Sequence, residues 1–203
     1  MAPITEYSFR DYCEQFVKIK TTPNIRFLIG DAEYILAVCY IDSEAGVSFK
    51  VLGAITDSSI VPLTDKDITL KYEDDFRIEP LDAESLPEKL RDRGMSIIQL
   101  SRESVSKETF VFRKAKMFDE YRDSQFPDDV CISTMANPPE EDRFNVWMRP
   151  IRAEDNVIIA TAIEDVELVT NGDEMVIMPE ENGFLSIHYG LYKAILEEQE
   201  SID

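Results

Sequence analysis

The sequence predicts an α+β protein, built mostly of antiparallel β-sheet with one helix near each end of the chain. Branched and aromatic residues fill short runs such as 34–41 and 47–55, and turn clusters separate these runs. An Asn-Gly pair at 171–172 is typical of a tight hairpin turn. Apolar residues recur at helical spacing near the two ends, at 9–17 and 184–196.

The first helix is predicted to begin at Ser8, a candidate N-cap, and to end at the Thr21-Thr22-Pro23 sequence. Its buried face consists of Phe9, Tyr12, Cys13, Phe16 and Val17. Strands are expected next at 25–29, 34–41 and 47–55.

The middle of the chain carries weaker signals. Ser85 is a candidate cap for a short helix, and Gly94 lies where the residue after its C-terminal end is expected. Residues 114–126 fit either a helix or a continuing strand. Short strands are predicted at 68–72, 76–79, 95–100 and 109–113.

A turn at Phe126-Pro127-Asp128-Asp129 is the predicted boundary between two regions. Residues 1–126 then form a mixed β/α region, and residues 127–203 form a region of hairpins and a helix, although a single domain could contain both. Strands are expected in the second region at 130–134, 144–148, 157–163, 166–169 and 174–178. Pro179 ends the last strand, and a final helix runs from an Asn182 cap to about Glu198.

Negative charge is concentrated in the last part of the chain. The protein has a formal net charge of −20, and residues 151–203 contain thirteen acidic and only two basic residues. A surface of one sign repels nucleic-acid phosphates and attracts basic protein patches. We therefore expect no direct sequence-specific nucleic-acid binding, while acidity that serves only general solubility stays open as an alternative.

Composition also bears on membrane and compartment. No apolar run approaches the roughly 20 residues that cross a bilayer, so no membrane partner is expected. The first residues show no basic and apolar pattern of a secretory signal. The three cysteines, Cys13, Cys39 and Cys131, are odd in number and widely spaced, which indicates free thiols in a reducing compartment. Synthesis in the cytoplasm is expected.

No pattern in the sequence predicts catalysis. His188 is the single histidine, and the sequence places no nucleophile and acid around it in a recognised motif. The seven glycines form no phosphate-binding loop. The acidic clusters at 65–67 and 73–75 do not match a calcium loop, and solvated loops explain them better. We expect a non-enzyme without cofactor or metal.

The predicted final helix is apolar on most of its surface, which is typical of a helix buried in a core or against another subunit. Acidic residues follow at its C-terminal end, where the helix dipole disfavours them by about 0.3–1 kcal/mol per charge. A partner is one reason for acids at this place. The residues predicted to interact are Leu185, Tyr189, Tyr192, Leu196, Glu197 and Glu198.

Residues 130–200 carry a resemblance to a known family. A strand precedes Asn137-Pro138-Pro139-Glu140-Glu141-Asp142, and another strand, 144–148, ends in Arg149-Pro150. Met178-Pro179-Glu180 then leads to a helix over 187–194. This order is similar to the C-terminal part of tailed-phage head–tail connector (adaptor or neck) proteins. The resemblance implies a ring of subunits on a portal, assembled into a virion, with no catalysis and an acidic channel past which DNA slides.

Three functions follow as hypotheses. The first is a structural or assembly protein that works through contacts with other protein subunits, including its own copies and portal or tail proteins. The second is an acidic inhibitor that mimics nucleic acid and occupies a basic groove of a nucleic-acid-binding protein. The third is a carboxylate-based or metal-dependent enzyme, which requires two acids that converge in one cleft.

Overall fold

The computed structural model describes residues 9–30, 32–57, 59–63, 67–71, 76–134, 144–154, 157–166, 169–180 and 184–188. The chain divides into two compact units, and each unit is discontinuous in sequence. The first unit comprises Met1–Val105 with Ser124–Pro127, and the second comprises Ser106–Asp123 with Asp128–Asp203. The division into the regions 1–126 and 127–203 remains a prediction from the sequence.

The first unit contains a six-stranded antiparallel sheet in the order β4-β3-β2-β1-β6, in which β5 also pairs with β3. The long strands β2 and β3 form a hairpin whose register runs from Tyr34 opposite Ile55 to Asp42 opposite Gly46. This hairpin confirms the strands predicted at 34–41 and 47–55. The strands are β1 Phe16–Lys20, β2 Tyr34–Asp42, β3 Gly46–Ile55, β4 Ile60–Pro62, β5 Thr69–Lys71 and β6 Ile78–Leu81.

Both faces of this sheet are buried. Successive side chains of a strand point to opposite faces, so each face has its own set of core residues. On one face, Leu36, Val38 and Leu52 pack against the helix α2 (Glu88–Glu103) through Leu90 and Ile98. The other face is covered by the segments that contain Tyr12 and Ile25, and by partly buried loop residues. Its strand residues are Val17, Ile19, Ile35, Ala37, Cys39, Phe49 and Val51.

A glycine sets how closely α2 approaches the sheet. Gly94 lies in the middle of the helix and is buried. A Cβ atom at this position would lie 2.5 Å from Phe16 Cζ and 3.2 Å from Leu52 Cδ1, and closer still to Phe16 Cε1. Phe16 and Leu52 are themselves core residues. Only a residue without a side chain therefore allows this packing distance.

The second unit contains a five-stranded antiparallel sheet in the order β11-β10-β9-β8-β7. A parallel bridge between Thr134, which follows β7, and Ile187 of β11 joins the first strand to the last. The sheet therefore curls around its own core. The strands are β7 Val130–Ser133, β8 Asn145–Glu154, β9 Val157–Ala162, β10 Glu174–Pro179 and β11 Leu185–Ile187. The predicted α+β class with mostly antiparallel sheet is confirmed.

A turn at Asn171-Gly172 precedes β10 as predicted, but the strand before it is β9, not the predicted strand 166–169, whose described ends Val166 and Val169 form only an isolated bridge with each other. Gly172 has a φ of 97°, a backbone conformation that residues with a side chain rarely adopt. Its N–H donates to the carbonyl of Ala162 at 2.9 Å, and the Asp173 N–H donates to Thr170 at 2.9 Å. β10 ends at Pro179, also as predicted.

Ion pairs fix the segment around residues 112–131 of the second unit. Arg113 donates two hydrogen bonds to Asp128, both of 2.7 Å, and Arg149 donates two to Asp129, of 2.7 and 3.0 Å. The side chains of Arg113 and Asp128 are 8% and 12% exposed. Arg122 donates to the carbonyl of Ala115 at 3.1 Å and also to that of Phe112. Asp128 and Asp129, which the sequence places in a turn, thus each bind an arginine.

The predicted N-terminal helix is wrong. Residues Phe9–Asp11 form one 3-10 turn, and the strand β1 begins at Phe16. Glu14, between them, has a φ of 60°, which is incompatible with a continuing right-handed helix. Phe16 and Val17 are both buried because they point to opposite faces of the sheet, whose strands β2 and β6 pair with both edges of β1.

The strand predicted at 25–29 is the helix α1, Pro23–Ile29. Pro23 stands in the first turn, where a missing N–H costs nothing. Gly30, with a φ of 72°, follows the helix and donates its N–H to the carbonyl of Arg26. Both signals are present in the sequence, but Pro23 marks the start of α1 and not the end of a preceding helix.

Two further predicted strands are helical. The segment 95–100 belongs to α2, which runs through Gly94, and Ser85 lies in a 3-10 turn, Ala83–Ser85, before that helix. The segment 109–113 lies in α3, Lys107–Lys114. Ser106 caps α3 by accepting a 3.0 Å hydrogen bond from the Thr109 N–H. A 3-10 turn, Lys116–Phe118, then occupies part of the segment left ambiguous.

The start of the predicted C-terminal helix is wrong as well. Leu185–Ile187 form β11, which pairs with β10 so that Ile187 lies opposite Ile177. Three consecutive buried residues suit a strand with both faces covered, whereas a helix would turn one of them to solvent. The remainder of that helix, 189–198, and the loop 137–142 lie outside the described residues.

We predict that Gly94→Ala destabilises the protein although alanine is the better helix former. The gain in helix propensity is about 1 kcal/mol, whereas overpacking a core typically costs about 1–3 kcal/mol. Here the overpacking dominates, since the new methyl group would overlap Phe16. Urea denaturation followed by circular dichroism measures the change.

Ser96→Ala is the matched control, because Ser96 lies on the exposed side of the same helix. Its free energy of unfolding should change by less than about 0.5 kcal/mol. If Gly94→Ala is as stable as the wild type, the close approach of α2 to Phe16 is refuted.

We predict that Arg113→Met destabilises the second unit by about 3–5 kcal/mol, because it leaves the Asp128 carboxylate buried without its partner. Trp147, the single tryptophan, lies in β8, so its fluorescence follows the unfolding of this unit. The double variant Arg113→Met/Asp128→Leu should recover most of the loss, since no charge remains buried.

The control is Arg152→Met, whose partner Glu174 lies 3.0 Å away in a far more exposed pair, 42% and 34%. Exposed pairs contribute about 0–1 kcal/mol. Equal losses in the two single variants would contradict the structural importance of the Arg113–Asp128 pair.

Candidate functional site

The first unit has a groove beside the end of the long helix. The helix α2 packs on one face of the β2–β3 hairpin through Leu90 and Ile98, and its last turns lie beside the end of β2. Tyr40 and Lys50 lie on this same face, since they alternate in step with Val38 and Leu52. The opening, which we name the α2 groove, has a volume of about 340 Å³ and is lined by Tyr40, Ile41, Asp42, Ser43, Lys50, Ile97, Leu100, Ser101 and Ser104.

The end of α2 contributes both apolar and hydroxyl side chains to the α2 groove. Leu100 stands at its rim with 65% of its surface exposed, next to the half-buried Ile97. Ser101 donates a 3.0 Å hydrogen bond to the carbonyl of Ile41, and Ser104 donates one of 2.9 Å to the carbonyl of Ser101. The Ser101 bond joins the last turns of α2 to β2, whereas the Ser104 bond lies within the end of the helix.

The charged groups around the groove already have partners. The Lys50 ammonium group forms an ion pair with Asp67 and donates a 3.0 Å hydrogen bond to Thr69 Oγ1. The hydrogen bond and the charge of Lys50 lower the pKa of Asp67. Asp42 accepts 2.9 Å hydrogen bonds from the N–H groups of Glu44 and Ala45, which holds the turn between β2 and β3. The groove thus offers apolar and hydroxyl contacts, not a free nucleophile.

Tyr40 in the α2 groove has a shifted pKa. Its pKa is raised, mainly because burial disfavours the phenolate, and the negative charges of Asp42 and Asp67 act in the same direction. A hydrogen bond with Thr69 and the charge of Lys50 oppose this rise. Tyr40 therefore remains neutral and acts as a hydrogen-bonding, partly apolar wall.

His188 has a hydroxyl neighbour that the sequence analysis missed. Ser186 Oγ lies 3.2 Å from His188 Nε2, because residues two apart on a strand share a face. Ser186 is only 1% exposed, so its hydroxyl does not reach a substrate. A buried hydroxyl needs a hydrogen-bond partner, and His188 supplies it. That His188 is a structural histidine stays a prediction from the sequence.

Of the residues predicted to interact, only Leu185 belongs to the described part of the chain. Leu185 lies in the core of the second unit, where its N–H donates a 3.0 Å hydrogen bond to the Tyr121 hydroxyl. Tyr189, Tyr192, Leu196, Glu197 and Glu198 lie outside the described residues. The interaction surface at the end of the chain stays a prediction.

The acidic clusters bring no carboxylates together among the described residues. Asp67 pairs with Lys50, while Asp65, Lys66 and residues 73–75 lie outside them. Within the same described ranges, no three His, Cys, Asp or Glu side chains are grouped as metal ligands. No helix in these ranges combines the length and the apolar character needed to cross a membrane.

The chain matches no protein-family model, no curated protein and no solved structure. The function is therefore inferred from the residues and contacts of the chain itself.

We predict that alkaline pH weakens the first unit through Tyr40. Because the pKa of Tyr40 is raised in the folded state, neutral Tyr40 contributes fully to the free energy of unfolding below the ordinary tyrosine pKa of about 10. It is lost as the pH rises through the folded-state pKa, because the unfolded chain releases the proton first. Tyr40→Phe should lose less stability between about pH 9 and 11 than the wild type does. Parallel pH profiles of the two proteins in urea denaturation would contradict this assignment.

Proposed function

We propose that this protein is a non-enzymatic assembly protein that acts through protein–protein contacts, with the α2 groove as one contact surface. The observation that carries the proposal is the exposed Leu100 at the rim of a cavity of about 340 Å³. Ligand-binding pockets begin at about 300 Å³, so the groove accommodates a large apolar side chain.

The groove and the exposed leucine lie on the same face, and this favours a second copy of the chain as the occupant. In a two-fold symmetric dimer, each copy presents the same surface patch to the other. Leu100 of one copy would enter the groove of its partner, and the reverse contact would form at the same time. Burying one leucine contributes about 1.5–3 kcal/mol, and such an interface contains two.

Net charge opposes this association. Two copies that each carry −20 repel one another, and salt screens this repulsion over about 10 Å at 0.1 M. Self-association through Leu100 should therefore strengthen as the salt concentration rises. An interaction with a basic partner would show the opposite dependence.

A head–tail connector subunit is a different form of the assembly proposal, because the ring that it implies needs contacts other than the two-fold contact through Leu100. It rests on the resemblance of residues 130–200, to which the described residues add the strands β7 and β8 in the expected order. The helix in that resemblance begins at Ile187, which lies in β11. The connector role and a place in a virion accordingly remain proposals that rest on sequence.

An acidic mimic of nucleic acid is the second candidate. It is favoured by the net charge together with the pairing of basic side chains, since Lys18, Lys50, Arg102, Arg113 and Arg149 each form an ion pair with an acid. Unpaired acids then dominate the electrostatic field that a partner meets. The carboxylate or metal-dependent enzyme stays a prediction from sequence.

We predict that the chain dimerises, so that its average mass in light scattering exceeds the monomer mass of 23.3 kDa. This average mass should be higher at 0.5 M than at 0.1 M salt. Leu100→Gln should raise the dimer dissociation constant at least tenfold, or about 1.4 kcal/mol. Glutamine keeps the helix propensity and the net charge.

Met95→Gln is the matched control. Met95 lies on the same helix and is 50% exposed, but it does not line the α2 groove. Its dimer should equal that of the wild type. A strict monomer at all concentrations and both salt concentrations would refute the self-assembly proposal. It would leave the nucleic-acid mimic, whose binding to a basic protein weakens with salt.

A further inference from the structure

Two cysteines that are 26 residues apart in sequence meet in the first unit. Cys13 follows the Phe9–Asp11 turn and Cys39 lies in β2, and their Sγ atoms are 3.5 Å apart. The backbone holds both residues in place. Cys39 accepts a hydrogen bond from the Glu14 N–H and donates one to the carbonyl of Gln15, each of 2.9 Å. The contact between the sulfurs is therefore part of the fold.

The two thiols differ in accessibility. Cys39 is completely buried in the sheet core, whereas Cys13 is half-buried. Burial raises the pKa of Cys39 well above its ordinary value, and the hydrogen bond with Cys13 adds to this rise. A reagent in solution meets Cys13 first, and Cys39 is the thiol behind it.

We propose that Cys13 and Cys39 form a reversible redox pair that exchanges with a low-molecular-weight disulfide such as oxidised glutathione. This inference is independent of the assembly proposal, because it concerns neither Leu100 nor the α2 groove. It goes beyond the expectation of three inert free thiols.

The exchange takes place in two steps. The Cys13 thiolate attacks one sulfur of oxidised glutathione, breaks its S–S bond and releases one glutathione thiolate, which takes up the proton that Cys13 lost. Cys39 then gives up its proton and attacks Cys13 Sγ, which displaces the second glutathione as a thiol. Two protein thiols are oxidised to one disulfide, and one glutathione disulfide is reduced to two thiols.

The geometry requires little movement for the second step. A disulfide bond has a length of about 2.05 Å, so the sulfurs must approach by roughly 1.5 Å. A change in the side-chain torsion of the half-buried Cys13 supplies such a displacement. The bond closes a loop that contains β1 and α1, and a cross-link of this kind restricts the unfolded chain. The oxidised protein should therefore unfold at a higher temperature than the reduced one.

The test uses the full-length chain in a series of reduced and oxidised glutathione mixtures, followed by acid quenching, thiol counting and peptide mass analysis. We expect two of the three thiols to disappear together and a peptide pair linked through Cys13 and Cys39 to appear. This should occur at a glutathione disulfide concentration at least tenfold below the one that modifies Cys131. Dithiothreitol should reverse the change.

Two variants separate the pair from general thiol reactivity. Cys131→Ser should form the same linked peptide pair and show the same rise in Tm. Cys13→Ser alters only the half-buried position, so it should fold like the reduced wild type, form no disulfide and show no rise. If Cys13 accumulates as a stable glutathione adduct, or if all three thiols react at the same concentration, the proposal is refuted.

Discussion

The contact of Gly94 with Phe16 fixes the arrangement of the first unit. It brings α2 close enough to the sheet for Leu90 and Ile98 to reach Leu36, Val38 and Leu52 on the covered face. The last turns of the same helix line the α2 groove together with residues of β2 and β3, so the candidate site depends on where α2 packs on the sheet.

Local patterns predicted the long β2–β3 hairpin well, but they placed strands at 25–29, 95–100 and 109–113, which are helical. The hairpin strands 34–41 and 47–55 and the Asn171-Gly172 turn depend on neighbours in sequence, which a sequence displays directly. β1 was mistaken for a helix because Phe16 and Val17 face two different cores, and a strand buried on both faces has no period of two. The glycine of α2 signalled a helix end in sequence, although its role is a contact with a strand some 80 residues earlier.

The candidate site was not predictable from sequence, because it also depends on contacts between residues that are distant in the chain. Its residues come from β2, β3 and the end of α2, and none of these segments carries a recognisable motif. The sequence shows how abundant the acidic residues are, but not which of them form ion pairs. Asp128 and Asp129, taken as turn residues, hold arginines in place, and Asp67, taken as part of a solvated cluster, neutralises a lysine beside the groove.

The interleaving of the two units in sequence has a consequence for how such a protein is inherited. The short segment 124–127 belongs to the first unit, where the carbonyl of Gln125 accepts a 2.7 Å hydrogen bond from the N–H of Val47, yet it is flanked on both sides by residues of the second. No single recombination junction in the gene can separate the two units and leave both whole. The pair is therefore expected to pass between genomes as one module, and a fusion made at any one point would break the backbone pairing of one unit or the other.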